Sequence, residues 1–250
     1  MTISTDMLAA IRNAHAMVVL TGAGVSKESG IPTFRDAMDG LWAKYDPVEL
    51  ATPEAFARDP EKVTRWYDER RVRCSAARPN PGHRALVQLQ DWCGQRGKTF
   101  TLVTQNIDRL HQAAGSQDVI ELHGTVWVWR CVECGMEREE RGPLLDRHPP
   151  RCDCGGFRRP AVVWFGEMLP ERALQDAFAA AEQCDLFLSI GTSGLVTPAA
   201  DLLYAAKDNK ALILEINPEP TPATALTDWM LQGPAGQILP RLLASLCEDR

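Results

Sequence analysis

The chain has 250 residues, 45% of them hydrophobic and 24% charged, with a formal net charge of −6. That length buries a sizeable core, as one large domain or a domain with a small insert, and the composition is that of a soluble globular protein. The acidic balance argues against general affinity for nucleic acid or anionic membranes.

No apolar run approaches the roughly 18 residues that a membrane span needs. The N-terminal "MTISTDMLAAIRNAHAMVVL" has no basic start followed by a long apolar stretch, so no signal peptide is expected. Eight cysteines in a chain this long are not the pattern of a disulfide scaffold. A reducing, cytoplasmic compartment is expected, with a monomer as the simplest state.

Short apolar runs alternate with helical patterns: "MVVLT" (17–21), "FTLVT" (100–104), "VIEL" (119–122), "VVWF" (162–165), "LFLSI" (186–190) and "ALILEI" (211–216). Their nearly continuous apolar character suits strands buried on both faces. Helices are expected at about 83–96, 107–114, 171–183, 198–207 and 236–248. This alternation predicts an α/β fold with a doubly wound, mostly parallel sheet. Residues 39–82 and 125–160 break the rhythm and read as inserts.

The first chemical motif, "LTGAGVSKESGIPTFRD" (20–36), follows the first strand. Small residues at Gly22, Ala23 and Gly24 let backbone N–H groups approach a phosphate. Lys27 stands where the usual dinucleotide fingerprint has its third glycine, so a tight structural turn stays open as the other reading. In "TQNIDRLHQAAG" (104–115), Gln105, Asn106 and Asp108 sit at a strand end, where open α/β sheets bind ligands. Asn106 also reads as a helix cap, with Asp108 in the first turn. His123 in "ELHG" is a general-base candidate beside a flexible glycine, with an ordinary pKa near neutrality.

Cys131 and Cys134, then seventeen residues, then Cys152 and Cys154, form two close thiolate pairs that suit tetrahedral zinc in a small ribbon. A closed four-sulfur set predicts a structural ion. Only one residue separates the second pair, so His148 stays open as a substitute ligand. "WYDERR" (66–71) places Tyr67 and Arg70 on one helical face. It reads either as a solvated turn, with Asp68 and Glu69 pairing Arg70 and Arg71, or as a clamp for a small anion.

In this order, "GAGVSKESGIPTFRD", "TQNID", "HG", the cysteine pairs, "VVWFGE", "GTSGLVTPA" and "EINPEP" resemble the sirtuins, NAD-dependent protein lysine deacylases. The likeness runs from about residue 8 to 248 and is most like the bacterial class III members. It implies a Rossmann-like NAD domain (1–38, 83–124, 161–250) and a small domain of a helical insert (39–82) and a zinc ribbon (125–160).

By the same resemblance, Gly22, Ala23 and Gly24 match the pyrophosphate loop, and Thr33, Phe34 and Arg35 a cofactor-covering segment. Gln105, Asn106, Ile107 and Asp108 match the nicotinamide-ribose pocket, with Asp108 toward the carboxamide. Gly191, Thr192, Ser193, Asn217, Pro218, Glu219 and Ala235 match the adenosine half. Val163, Trp164, Phe165 and Gly166 match one edge for the substrate peptide, and Leu195 and Val196 the other. Tyr67 and Arg70 match a pair that binds the carboxylate of succinyl- or malonyl-lysine, and Ala37 a small residue that leaves room for it. Arg71, about 100° further round a helix, is expected to face water.

The implied products are free lysine, nicotinamide and O-acyl-ADP-ribose, with His123 as base, NAD as cosubstrate and zinc as a structural ion. Protein mono-ADP-ribosylation, a non-catalytic NAD sensor and a zinc-ribbon nucleic-acid binder are the alternatives from other classes.

Overall fold

A computed structural model describes residues 3–33 and 50–248. In chain order the first elements are α1 (Thr5–Asn13), β1 (Ala16–Thr21), α2 (Ala23–Lys27), α3 (Pro53–Arg58), α4 (Pro60–Ala76), α5 (Pro81–Gly94) and β2 (Thr99–Thr104). Then come α6 (Leu110–Ala114), β3 (Ile120–Glu121), β4 (Gly124–Cys131), β5 (Glu137–Glu139), β6 (Arg158–Val162) and α7 (Glu171–Gln183). The chain ends with β7 (Leu186–Ile190), α8 (Asp201–Asp208), β8 (Leu212–Asn217), β9 (Trp229–Gln232) and α9 (Ala235–Glu248).

Six strands form one parallel sheet in the order β3-β2-β1-β7-β8-β9. Both faces are covered, which is why β1 and β7 are almost wholly apolar. Met7, Ile11, Leu86, Leu89, Leu239 and Leu242 pack one face from α1, α5 and α9. Ala177, Ala181, Leu202 and Leu203 pack the other from α7 and α8. The order reverses between β1 and β7, and the strand C-termini open a crevice there.

A second, antiparallel sheet has the order β5-β4-β6. It and the helices α3 and α4 share a third core of Ala55, Val63, Trp66, Tyr67, Val126, Trp129, Val162 and Trp164. Sequence explains the helix starts: Thr52 and Asp59 cap α3 and α4 ahead of prolines at the first helical position. Arg109 ties the two units by pairing with Glu121 on β3 at 3.1 Å and Glu139 on β5 at 3.2 Å.

Several expectations are corrected. "VVWF" is not a strand of the parallel sheet. Val162 ends β6, and Val162 and Trp164 fill the small unit's core instead. The sixth parallel strand is β9, "WMLQ", whose short edge position leaves little periodicity to read. The helix expected at 107–114 spans only Leu110–Ala114, and Asn106 does not cap it. The Asn106 amide instead donates to the Gly22 carbonyl at 3.0 Å. Helix α1 is an addition, capped by Ser4.

Arg71 and Asp68 are also corrected. Both are fully buried, and their guanidinium–carboxylate contact is 2.7 Å. The solvated-turn reading of "WYDERR" therefore fails on this side of α4, because the loop at residues 140–148 covers it.

His83 and His111 lie with ring centroids 4.9 Å apart, both buried. Burial pushes their pKa values down, to about 4 and about 3. The folded state therefore resists protonation that the unfolded chain accepts below pH 6.5. Stability is expected to be full above that pH and to fall as the pH drops toward 4, by on the order of 2 kcal/mol per histidine at pH 5. Urea unfolding at pH 7 and pH 5 measures this, and replacing both by Gln should flatten the decline.

Candidate functional site

The floor of the crevice is backbone against backbone. A Cβ on Gly24 would lie 2.7 Å from the Gly191 carbonyl oxygen, and one on Gly22 would lie 2.8 Å from the same atom. The Gly24 amide donates to that oxygen at 2.8 Å. Gly191 itself has φ +60°, where a side chain is strained. Glycine is thus needed to join the turns after β1 and β7, besides any approach to phosphate. Ala23 sits between them as the first residue of α2.

Above this floor the segment after β2 is locked by side chains. Thr21 contacts both the Thr104 hydroxyl at 2.8 Å and His111 Nε2 at 2.9 Å, beneath the strand ends. Gln105 Nε2 donates to the Thr192 hydroxyl at 2.9 Å, bridging the β2 and β7 loops. Asn106 also donates to Ser26 Oγ at 3.1 Å, and Ser26 donates to Asp108 Oδ2 at 2.7 Å. The Leu110 amide donates to Asp108 Oδ1 at 2.8 Å, so this carboxylate does the local capping assigned to Asn106. Burial raises the Asp108 pKa, against the Leu110 and Ser26 donors that lower it. The Ile107 carbonyl accepts the Val126 amide at 3.1 Å and so hangs the loop on β4. Ser26 joins this network of candidate residues, which its place in the "GAGVSKESG" motif did not single out.

His123 is partly buried just before β4, with Nδ1 3.0 Å from the Gln105 carbonyl. A carbonyl only accepts, so Nδ1 carries the proton and Nε2 is the basic nitrogen. Burial lowers its pKa below 6.5, against the Gln105 bond that raises it. Gly124 is not a flexible hinge: at φ +69°, its Cβ would meet the Ala161 oxygen at 2.0 Å.

On the far side, Asn217 Nδ2 donates to the Thr192 carbonyl at 2.9 Å, and Gln232 to the Pro218 carbonyl at 3.0 Å. Ser193 Oγ accepts the Leu195 amide, Glu219 is exposed, and Ala235 is buried at the start of α9. Thr33 closes the first described stretch; Phe34, Arg35 and Ala37 lie outside the described residues.

Tyr67 is buried between Trp66, ring centroids 4.6 Å apart, and Trp164, 6.2 Å apart. Burial pushes its pKa up to about 12, although Arg70 lowers it. The Arg70 guanidinium lies 4.8 Å from the Trp66 ring centroid, and burial depresses its pKa while Tyr67, Cys74 and Asp108 oppose this. The amides of Val163, Trp164 and Phe165 are already bonded, to His123 O, Glu167 Oε2 and Ala51 O. Any peptide pairing there must use their carbonyls or Gly166, whose φ is +87°. Phe165, Leu195 and Val196 are exposed apolar side chains.

Cys131, Cys134, Cys152 and Cys154 bring their sulfurs within 4.8 Å of one another, with Sγ pairs at 3.5 and 3.6 Å. Bonds of ~2.3 Å to a tetrahedral zinc separate sulfurs by roughly 3.8 Å, so the set fits. His148 is not among them; its Nε2 lies 2.9 Å from Asp68 Oδ2. The Cys154 amide holds the Cys152 thiol down to about 6, and the Cys134 amide lowers Cys131. At Cys154 the Gly156 amide lowers the value, but the adjoining thiols push it up to about 12. Thiolates this close together repel one another, and a cation among them relieves that repulsion.

A second observation agrees. Arg158 is buried, its Nη2 3.7 Å from Cys152 Sγ, while Nε and Nη1 have no hydrogen-bond partner among the described residues. A buried cation needs compensating charge, and four thiolates around one divalent ion carry an excess of two negative charges. Elemental analysis should find one zinc per chain, and Arg158→Met should lower zinc affinity by roughly 10- to 100-fold in chelator competition. Equal zinc retention in variant and parent would remove this role of Arg158.

The residues also fit a nicotinamide dinucleotide, with a turn of small residues and polar Gln105, Asn106 and Asp108 at the strand ends beside the sheet's switch point. A sequence profile of the Sir2 family matches residues 22–198. The chain is 53% identical over 213 residues to an NAD-dependent protein deacylase of Aquifex aeolicus, covering 85% of this chain and 87% of that one. It is 50% identical over 243 residues to NAD-dependent protein deacylase 1 of Pseudomonas aeruginosa, covering 93% and 95%. A solved Sir2 homologue in complex with NAD superposes with a TM-score of 0.92 at 44% identity, over 98% and 94% of the two chains. A Sir2 protein bound to acetylated peptide gives 0.86 at 30% identity, over 98% of each. Family profile, sequence identity and fold agree over most of the length, and the chain belongs to the Sir2 family, the sirtuins.

Proposed function

We propose that this protein is an NAD-dependent protein lysine deacylase that accepts acetyl and acidic acyl groups, succinyl and malonyl, and releases nicotinamide and O-acyl-ADP-ribose. The observation that carries the reading is the His123–Gln105 bond, which leaves a neutral imidazole with a basic Nε2 and ties it to the segment that holds the Asn106–Ser26–Asp108 network. The names of the relatives favour deacylation over ADP-ribosyl transfer.

Bound NAD would supply a ribose carbon bearing nicotinamide as leaving group. Asn106 and Asp108 would orient the carboxamide end, with Ile107 beside them, and Gln105 would hold the ribose side through its bridge to Thr192. Gly22, Ala23, Gly24 and Gly191 would leave room for the pyrophosphate. Thr192, Ser193, Asn217, Pro218, Glu219 and Ala235 would carry the adenosine half, and Thr33, Phe34 and Arg35 would cover the cofactor. The acyl-lysine amide is a weak nucleophile, so catalysis rests on alignment and exclusion of water. Val163–Gly166 and Leu195–Val196 would hold the peptide from two sides. His123 Nε2 would take a proton from a ribose hydroxyl.

Four zinc cysteines would hold the small domain, residues 39–82 and 125–160, as a structural ion site with no chemical step. No helix among the described residues is long and apolar enough to cross a membrane. A cytoplasmic monomer without nucleic-acid partners is the accompanying reading, supported by eight free cysteines and the acidic charge.

Replacing His123 by Ala should leave NAD binding by calorimetry nearly unchanged and lower turnover roughly 10²-fold or more. Retention of more than about a tenth of the parent rate would rule out the base role. Since burial lowers the His123 pKa, the acidic limb of kcat/KM should fall below pH 6.5.

Tyr67 and Arg70 supply the acyl preference in this reading, with Ala37 leaving space. A guanidinium whose charge is disfavoured by burial gains from a carboxylate, and the protonated phenol adds a donor. Charge-assisted bonds of this kind are worth roughly 1.5–3 kcal/mol each. Arg70→Met is therefore expected to cut desuccinylation at least about tenfold, with deacetylation of the same peptide much less affected. Equal loss of both would make Arg70 structural.

A further inference from the structure

Tyr67 and Arg70 occupy one stripe of α4, and Asp68 and Arg71 occupy the next, about 100° round the helix. The second stripe is fully buried against a part of the chain 70 to 80 residues away. The Asp68 carboxylate makes four close polar contacts. Arg71 Nε and Nη2 reach Oδ1 at 2.8 and 2.7 Å, while the Leu145 amide at 2.7 Å and His148 Nε2 at 2.9 Å reach Oδ2. Arg71 donates onward to the carbonyls of Glu140, Gly142 and Pro143. The segment holding these groups has no helix and runs from the end of β5 toward Cys152. The guanidinium supplies these backbone carbonyls with the donors that a strand ladder would otherwise give them.

We propose that the Asp68–Arg71–His148 node is a positioning device for acyl selection. By bolting α4 to the segment between the two cysteine pairs, it fixes the helix rotation that aims Tyr67 and Arg70. The inference rests on the reading of Tyr67 and Arg70 as the carboxylate clamp. A helix turned by a fraction of its 100° step would move both side chains together, whereas an acetyl group needs neither. Arg71, Asp68 and His148 are positioning residues, since none of them is required to touch the acyl group.

The test measures kcat and KM of Arg71→Met, Arg71→Lys and His148→Ala on one peptide carrying acetyl or succinyl, with zinc content and thermal unfolding of each variant. Misplacing a binding group by about 1 Å costs up to ~10²-fold. Arg71→Met is therefore expected to lose at least about tenfold in succinyl kcat/KM, mostly through KM, and less than about threefold in acetyl kcat/KM. Arg71→Lys and His148→Ala should fall between parent and Arg71→Met in the same ratio. Combining Arg71→Met with Arg70→Met should remove no further selectivity, because the node works through the clamp.

Equal loss of both activities, or an unchanged succinyl-to-acetyl ratio, overturns the proposal while leaving the clamp standing. Should Arg71→Met fail to fold, the ratio in Arg71→Lys and His148→Ala decides by the same criterion. Arg70→Met affecting both substrates alike overturns the clamp itself, and the positioning role falls with it.

Discussion

Two turns of backbone meet where β1 and β7 end, and the site depends on that contact. Neither Gly22 nor Gly24 has room for a methyl group against Gly191 and Thr192. Their approach brings the β1 turn, the β2 loop and the β7 loop within hydrogen-bonding distance, so Gln105 can bridge to Thr192 and Asn106 to Gly22. Once Asn106 is placed, Ser26 and Asp108 follow, and the Gln105 carbonyl meets His123. A bulkier residue at the turn would separate strands before it disturbed any ligand.

The small unit solves a different problem. Its three-stranded sheet is small, and it completes an apolar core only by packing against α3 and α4. Its aromatic core uses Trp66, Tyr67, Trp129 and Trp164 from three separate stretches of chain. Arg159 adds a guanidinium stacked 3.2 Å from the Trp164 ring centroid and paired with Glu167. Cysteine spacing and this aromatic packing are complementary: one crosslinks the tip of the hairpin, the other anchors its base.

What is legible in the sequence follows physical range. Parallel strands such as "LFLSI" show themselves because burial on both faces forces a continuous apolar run. The cysteine pairs show themselves because ligand chemistry needs those atoms at that spacing. "VVWF" misleads because an apolar run of four looks the same in either core. Arg71 misleads for a related reason. Helical periodicity says that it points away from Tyr67, but not that residues 140–148 wait there to cover it. His148 looks like a metal ligand by spacing, yet its partner is Asp68, eighty positions back. Ser26 and the Thr192 bridge are hidden because each depends on a contact between distant loops.

The strand order also has a consequence for how the chain is made. β1 is central in the sheet, yet its neighbours are residues 99–104 and 186–190. During synthesis the earliest strand leaves the ribosome first and waits longest for its second partner. The β4–β5 hairpin is contiguous and closes early, since its pairs are only 7 to 11 residues apart. β1 gains its second neighbour only after β7 has emerged, so residues 22–185 are synthesised while an apolar edge of β1 stays unpaired. Such edges are where nascent chains aggregate or recruit chaperones. The same strand that anchors the finished site is thus an open edge until β7 pairs with it.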